Sequence, residues 1–333
     1  MFISRAPYRL SFYGGGLDYP QWFNKSPTNI ICSSLDKYCY LMIRKLPPFF
    51  DHKIRVAYSN IELCSDVNEI KHPSVREVLK YFKIKDGIEL SHIGDLPAKS
   101  GVGSSSSFTV ALVNGILQMK KIETNNYEIA KLATMIEQSC IKENVGIQDQ
   151  YAAAIGGFIL LNANKNKITY QKIDISNDYK VHLESNLLIG FSGRSRFSSL
   201  KATKLVNIIS NNQKNDLMEE LKSLSEEGVE SFLKNKEANY HATLTKKIRN
   251  IKLELNGDKN DTLIKDIIFK TEEAGSLCTR FLGAGGGGFF ICWAPKELHS
   301  KIKESVSMKT WLEVKFSFDG CSVFSKDYPE YVI

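Results

Sequence analysis

The chain has 333 residues, 43% hydrophobic and 24% charged, with a formal net charge of +7. That length suits two domains around one cleft and that balance suits a globular protein; with no apolar run of about 18 residues and no charged-then-apolar leader, a cytoplasmic protein without membrane partners is expected. Lys and Arg are spread along the chain rather than gathered in an aromatic-interleaved patch, which favours an enzyme of anionic substrates over a nucleic-acid binder.

Residues 4–12, 28–33, 38–45 and 53–58 read as short strands. Between the first two lies Gly14-Gly15-Gly16-Leu17-Asp18-Tyr19-Pro20. Three glycines let backbone approach a ligand and Asp18 can accept from hydroxyls, although the same residues also make an ordinary turn. A short helix over 74–83 and a strand over 88–93 lead to Asp95-Leu96-Pro97-Ala98-Lys99-Ser100-Gly101-Val102-Gly103-Ser104-Ser105-Ser106-Ser107-Phe108. A glycine-serine loop running into a helix N-terminus aims unpaired donors and the positive dipole end at one point, the design of an anion site; a Ser-rich cap on a buried helix is the plainer alternative.

The helix that follows, 104–120, places Phe108, Leu112 and Ile116 on one face. A second, 127–140, carries Ile129, Leu132, Ala133 and Ile136 at helical spacing with Glu137 at the edge of the stripe. Then Asn144 to Gly157 combines amides, small residues and Asp149, a carboxylate that serves either as a helix cap or as a fixed functional group. Strands are expected at 158–162, 168–173 and 181–190. Helices follow at 198–210, 216–235, 237–250 and 261–280, the Lys/Asn richness of 205–260 reading as solvated surface. After the last of these comes Gly283-Ala284-Gly285-Gly286-Gly287-Gly288, then a strand at 289–293, a helix at 296–306 and a strand at 311–317. Helices and strands in this order make an α+β architecture. A boundary within 175–190 divides the chain into residues 1–180 and 181–333. The seven cysteines are scattered with no C-x-x-C and the six histidines show no H-x-x-x-H, so reduced thiols and no zinc site are expected.

Gly283, Gly285 and Gly288 satisfy G-x-G-x-x-G, but after a helix and before a strand, the reverse of a dinucleotide fingerprint. H-R-D, D-F-G and the P-loop pattern are all missing. Taken together, Ala6 to Tyr19, the loop from Leu96 to Ser105 and the run Gly283 to Gly288 resemble the three ordered motifs of the GHMP kinases. The Gly-Gly-Gly-x-Asp form of the first motif, the four serines before Phe108, Gly146 to Ala154 and Ile54-Arg55-Val56-x-Tyr58 resemble the D-glycero-D-manno-heptose 7-phosphate kinase branch. That branch typically has Thr where Leu17 stands and Lys where Ile147 stands.

The resemblance implies an N-terminal domain like ribosomal protein S5 domain 2, a ferredoxin-like C-terminal domain, and ATP and substrate in the cleft between them. By it, Pro97, Gly101, Val102, Gly103, Ser104, Ser105, Ser106 and Ser107 cradle the ATP phosphates, and Ser104, Ser105 and Glu137 hold Mg²⁺, whose preference for hard oxygen ligands agrees. Asp149 matches the galactokinase base and Arg9 its support; Gly14, Gly15, Gly16, Asp18, Gln148, Gly285, Gly286 and Gly287 match substrate contacts. Arg194, Arg196 and Arg280 can bind a substrate phosphate or lie as plain surface. The implied activity is ATP-dependent phosphorylation of the anomeric hydroxyl of a heptose 7-phosphate-like sugar by an enzyme for which a homodimer is one possible assembly. The rival readings are a GHMP kinase for a neutral sugar such as galactose or fucose, a non-catalytic ATP- and sugar-binding sensor, and an RNA binder using an S5-like basic surface.

Overall fold

The computed structural model describes residues 1–194, 198–307 and 310–325. In chain order the first half comprises β1 (Phe2–Tyr13), α1 (Pro20–Phe23), β2 (Thr28–Lys45), β3 (Ile54–Ala57), β4 (Ile61–Cys64), α2 (Pro73–Tyr81), β5 (Ile88–Gly94), α3 (Ser104–Met119), α4 (Asn126–Met135), α5 (Gln148–Ile155), β6 (Phe158–Ala163) and β7 (Ile168–Lys172). β2 is one strand of 18 residues where two were expected. It stays continuous through the polar Asp36-Lys37 because β1 pairs along it on one edge, while β6 and then β5 take its two halves on the other.

α3 is the centre of this half. From Phe108 to Leu117 every residue is buried, as suits a helix apolar on all sides. The Ser4 hydroxyl ties β1 to it through the Ala111 carbonyl at 2.6 Å.

The second half comprises α6 (Asn177–Ser185), β8 (Leu187–Phe191), α7 (Ser198–Ser210), α8 (Asn215–Leu233), α9 (Ala238–Asn256), α10 (Thr262–Glu273), β9 (Cys278–Phe281), β10 (Phe289–Trp293), α11 (His299–Ser305) and β11 (Trp311–Glu313). Its four strands form a separate antiparallel sheet in the order β11-β8-β10-β9. Three expectations are corrected here. Residues 181–185 are helical rather than extended, because Ser176 caps α6 by accepting from the Tyr179 N–H at 3.2 Å. The helix expected over 261–280 stops at Glu273 and yields to β9, so the glycine run joins two strands instead of following a helix. The strand expected over 311–317 is split between the two sheets.

After β11 the chain returns to the first half. β12 (Phe316–Ser317) pairs with β2, and β13 (Ser322–Ser325) pairs with β1 along its outer edge. Residues 316–325 thus complete the first sheet although they follow the second. Phe12, Phe158, Phe232, Phe316 and Trp293 pack together between the two halves, with ring centroids 4.7 Å apart for Phe158–Phe316 and 5.0 Å for Phe12–Phe232. Beside them the buried His241 ring is held by the hydroxyls of Tyr13 and Tyr179, each at 2.8 Å. All seven cysteines are free.

Candidate active site

The pairing of β1 with β2 shifts register between Pro7 and Arg9. Such irregularities re-aim side chains, and Arg9 leaves the strand toward α5. It is 5% exposed and grips Asp149 with two bonds, Nε to Oδ1 at 2.7 Å and Nη2 to Oδ2 at 3.0 Å. Its Nη1 donates to the Gly101 carbonyl at 2.7 Å, so one guanidinium joins the carboxylate to the serine loop. Asp149 stands in the first turn of α5 but makes no cap hydrogen bond; its partner is Arg9, and its side chain stays 28% exposed. Gly103, with φ of +77°, lies against this pair: a Cβ there would sit 3.2 Å from both Arg9 and Asp149. A side chain would close the approach to the carboxylate as well as strain the loop.

Within the serine loop the four hydroxyls point in different directions, as the 100° step of a helix requires. Ser104 accepts from the Lys99 N–H at 3.2 Å, Ser105 is exposed, and Ser106 donates to Glu137 Oε2 at 2.9 Å. Ser107 donates to the Pro7 carbonyl at 2.8 Å while its N–H bonds the Gly103 carbonyl at 2.9 Å, so both its donors are spent inside the fold. Ser107 therefore drops out as a phosphate contact. Val102 has a fully buried side chain and its carbonyl accepts from the Arg9 N–H at 3.0 Å; Pro97 is exposed and its carbonyl accepts from Ser100.

Glu137 lies on a π-turn, Ile136–Cys140, that continues α4. Such widened turns re-aim a side chain, often at functional sites. The carboxylate is wholly buried, accepts from Ser106 and from the Gln150 amide, and leaves Oε1 without a partner. Burial pushes its pKa up to about 7. The expected set of Ser104, Ser105 and Glu137 is thus corrected: the hydroxyl that meets Glu137 is that of Ser106, one position further along α3.

The first glycine loop divides its work. Gly14 is turned against β2, where a Cβ would meet the Asn29 carbonyl at 2.5 Å, so it serves the turn rather than a ligand. Gly16 N–H donates to Asp18 Oδ1 at 2.9 Å, and Gln148 N–H to Oδ2 at 3.3 Å. Burial, and then the charge of Asp149, raise the Asp18 pKa. Gly15 faces the Ser11 hydroxyl, the Gln148 amide and the ammonium of Lys252, which lie 2.9, 3.3 and 3.4 Å from where its Cβ would be. Ser11 donates to Gln148 Oε1 at 3.1 Å, leaving the buried Gln148 Nε2 unpartnered. Leu17 and Ile147, the two departures from the heptose branch, are both buried.

Lys252 falls in the stretch 205–260, where composition predicts solvated surface. It comes from α9, whose buried residues Leu244, Ile248, Ile251 and Leu255 mark an inward stripe. Its position four after Ile248 is the signal that places it on that face. Arg280, on β9, is buried and donates from Nη2 to the Ser11 carbonyl at 2.5 Å. Arg194 instead pairs with Asp261 at 2.8 Å on the surface, and Arg196 lies outside the described residues.

The third glycine run docks on the serine loop. Phe289 N–H donates to the Ser100 carbonyl at 2.8 Å, and Gly288 sits so close to that carbonyl that a side chain would collide with backbone. Gly285, Gly286 and Gly287 lie beside Asp258, Lys201 and Arg194 respectively. Gly288 is the member that borders the serine loop, where the run Gly283 to Gly288 is expected to shape the cleft beside the phosphates.

Residues 69–157 match the family described as GHMP kinases N terminal domain. Over 320 residues the chain is 26% identical to the D-glycero-alpha-D-manno-heptose 7-phosphate kinase of Campylobacter jejuni subsp. jejuni serotype O:2, covering 90% of this chain and 91% of that one. Both findings agree with the likeness that the three glycine motifs carry. Other relatives include the galactokinase of Clostridium tetani, 24% identical over 310 residues and 77% of either chain. Among solved structures, a D-glycero-D-manno-heptose 1-phosphate kinase from Bacteriodes thetaiotaomicron superposes with a TM-score of 0.79 at 18% identity, covering 98% of this chain and 100% of that one. That likeness establishes the shared α+β fold. The curated relatives it matches are kinases, and no helix among the described residues is long and apolar enough to cross a membrane.

Proposed function

We propose that this chain transfers the γ-phosphoryl group of ATP to the anomeric hydroxyl of a heptose 7-phosphate or a similar sugar phosphate, supplying nucleotide-activated heptose for surface polysaccharide. The observation that carries the reading is the Arg9–Asp149 clamp, held against Gly103 where the serine loop enters α3. Phosphoryl transfer asks chiefly for positioning and for donors around the moving charge. The unpaired N–H groups of the first turn of α3, with the positive end of its dipole, suit the ATP phosphates. Asp149, fixed from one side by Arg9 and open on the other, orients the sugar hydroxyl and takes its proton as the bond to phosphorus forms. Asp18 and Gln148 lie beside it to receive further hydroxyls.

The donor set near Ser106 suits Mg²⁺: Glu137 Oε1 is a buried carboxylate oxygen with no partner, on the carboxylate that the Ser106 hydroxyl meets. Glu137, with a serine of the first turn, would hold the ion. When bound, Mg²⁺ neutralises charge on the ATP phosphates. The heptose assignment draws on the relative that aligns with nine-tenths of the chain.

The test is ³¹P NMR of the products from ATP, Mg²⁺ and heptose 7-phosphate. A new anomeric phosphate signal beside the retained 7-phosphate is expected. Turnover of galactose or fucose without turnover of heptose 7-phosphate would move the chain to the neutral-sugar kinases, and binding of ATP and sugar with no ADP formed would leave it a sensor.

A further inference from the structure

The charges around the first glycine loop do not cancel. Arg9 is matched by Asp149 and Lys252 feels the charge of Asp18, but no carboxylate acts on Arg280. Three cations against two carboxylates leave one positive charge in excess, within a part of the fold that shields it from water. Arg280 has no carboxylate partner among the described residues; its Nη2 donates to the Ser11 carbonyl, and its buried Nε has no partner. Lys252 makes no hydrogen bond or ion pair among the described residues and aims its ammonium at Gly15. Burial first, and then the charge of Arg280, lower its pKa to about 7. Both oxygens of Asp18 are already engaged by the N–H groups of Gly16 and Gln148.

Buried cations without counter-charges and buried donors without acceptors are costly, and they persist where a ligand completes them. The missing partner is an anion with several acceptor oxygens. The ATP phosphates are assigned to the first turn of α3, on the side of the serine loop where Ser100 meets Phe289. Lys252 lies instead beside Gly15 and Asp18, on the sugar side of Asp149.

We infer that Lys252 and Arg280 bind the distal phosphate of the sugar and so select phosphorylated over neutral sugars. The inference rests on the proposal that the sugar hydroxyl faces Asp149. Arg280 is also part of the packing beneath β1, so Lys252, partly exposed, is the residue to change.

Lys252→Met is compared with the unaltered enzyme under saturating ATP and Mg²⁺. The KM for heptose 7-phosphate is expected to rise about 10- to 100-fold, the worth of one hydrogen bond to a charged group, with the KM for ATP unchanged. The weaker activity on unphosphorylated heptose is expected to stay the same, and Lys252→Arg to keep most of the affinity. An equal KM for heptose 7-phosphate in Lys252→Met, or equal rises for both sugars, overturns the inference while leaving the sugar-kinase reading intact. A second measurement separates the two ideas: thermal stabilisation by inorganic phosphate with a non-hydrolysable ATP analogue filling the nucleotide site. Stabilisation lost in Lys252→Met supports the anion site even if no sugar is turned over, and stabilisation equal in both proteins refutes it.

Discussion

If Arg9 serves catalysis by holding Asp149, the two residues must fail as one. Asp149→Asn keeps the shape of the side chain but removes its charge and turns an amide N–H₂ toward a buried guanidinium. Removing a proton acceptor of this kind costs about 10² to 10⁴ in kcat. Arg9→Met frees Asp149 from both bonds, at 2.7 and 3.0 Å, and from its tie to Gly101, so a loss of about 10² is expected. The double variant is then expected to be no slower than Asp149→Asn alone, because the clamp has nothing left to hold. Stability follows a different ledger. Breaking a fully buried ion pair costs about 3–5 kcal/mol, but the Asp149 side chain is 28% exposed, which reduces the figure to about 1–3 kcal/mol. That amounts to a few degrees in melting temperature. The assay is ADP release at saturating MgATP for the three variants, with ATP binding followed by calorimetry to show that the nucleotide site survives. Multiplicative losses in the double variant, or an Asp149→Asn enzyme within about threefold of the original, would refute the reasoning.

Glu137→Gln removes the buried carboxylate charge and is expected to raise the Mg²⁺ concentration for half-maximal rate by about 10- to 100-fold, the scale seen even for groups that only support a metal ligand; titration with Mg²⁺ at fixed ATP measures it. Gly288→Ala drives a methyl group into the Ser100 carbonyl and forces the third glycine run off the serine loop, so a higher KM for ATP and a lower melting temperature are expected, with the KM for sugar little changed. His241, buried between Tyr13 and Tyr179, has its pKa lowered to about 4 by burial. Between pH 4 and the ordinary value near 6.5 the unfolded chain binds the proton that the folded one refuses, so stability present above pH 6.5 falls as the pH drops, by about 3 kcal/mol in full. Urea unfolding from pH 4 to 7 tests this, and a slope unchanged in His241→Gln would assign the acid sensitivity elsewhere.

The parts of this molecule legible in its sequence are those where a local pattern and a tertiary demand coincide. α3 announced itself because its loop, its serines and its apolar run all belong to one continuous segment. Asp149 and Arg9 could be singled out only through the resemblance to a family, since 140 positions separate them and no spacing rule joins them. Lys252 was hidden in the lysine-rich stretch of 205–260: composition said surface, whereas its place four residues after Ile248 put it on the inward stripe. Ser106 and Ser107 were grouped with Ser104 and Ser105 because the sequence shows four identical residues, and only the helical turn separates a ligand of Glu137 from a bolt holding Pro7. The strand expected at 181–190 failed at its start because the Ser176 cap outweighed an apolar reading of Val181 and Leu183. The return of residues 316–325 to the first sheet depends on pairing with residues some 300 positions away, which no window can show.

That return governs the order of assembly. The outer edge of β1 is closed by β13, so Phe2 meets Ser325 across almost the entire chain. On a ribosome, the sheet that carries Arg9 must wait with an open flank until its final strand has been synthesised, and contacts of such long range form slowly. The second half is, in effect, an insertion between the body of the first layer and its closing strand. A gene fragment ending at residue 180 would express a layer with its edge bare, prone to pairing with a second copy of itself.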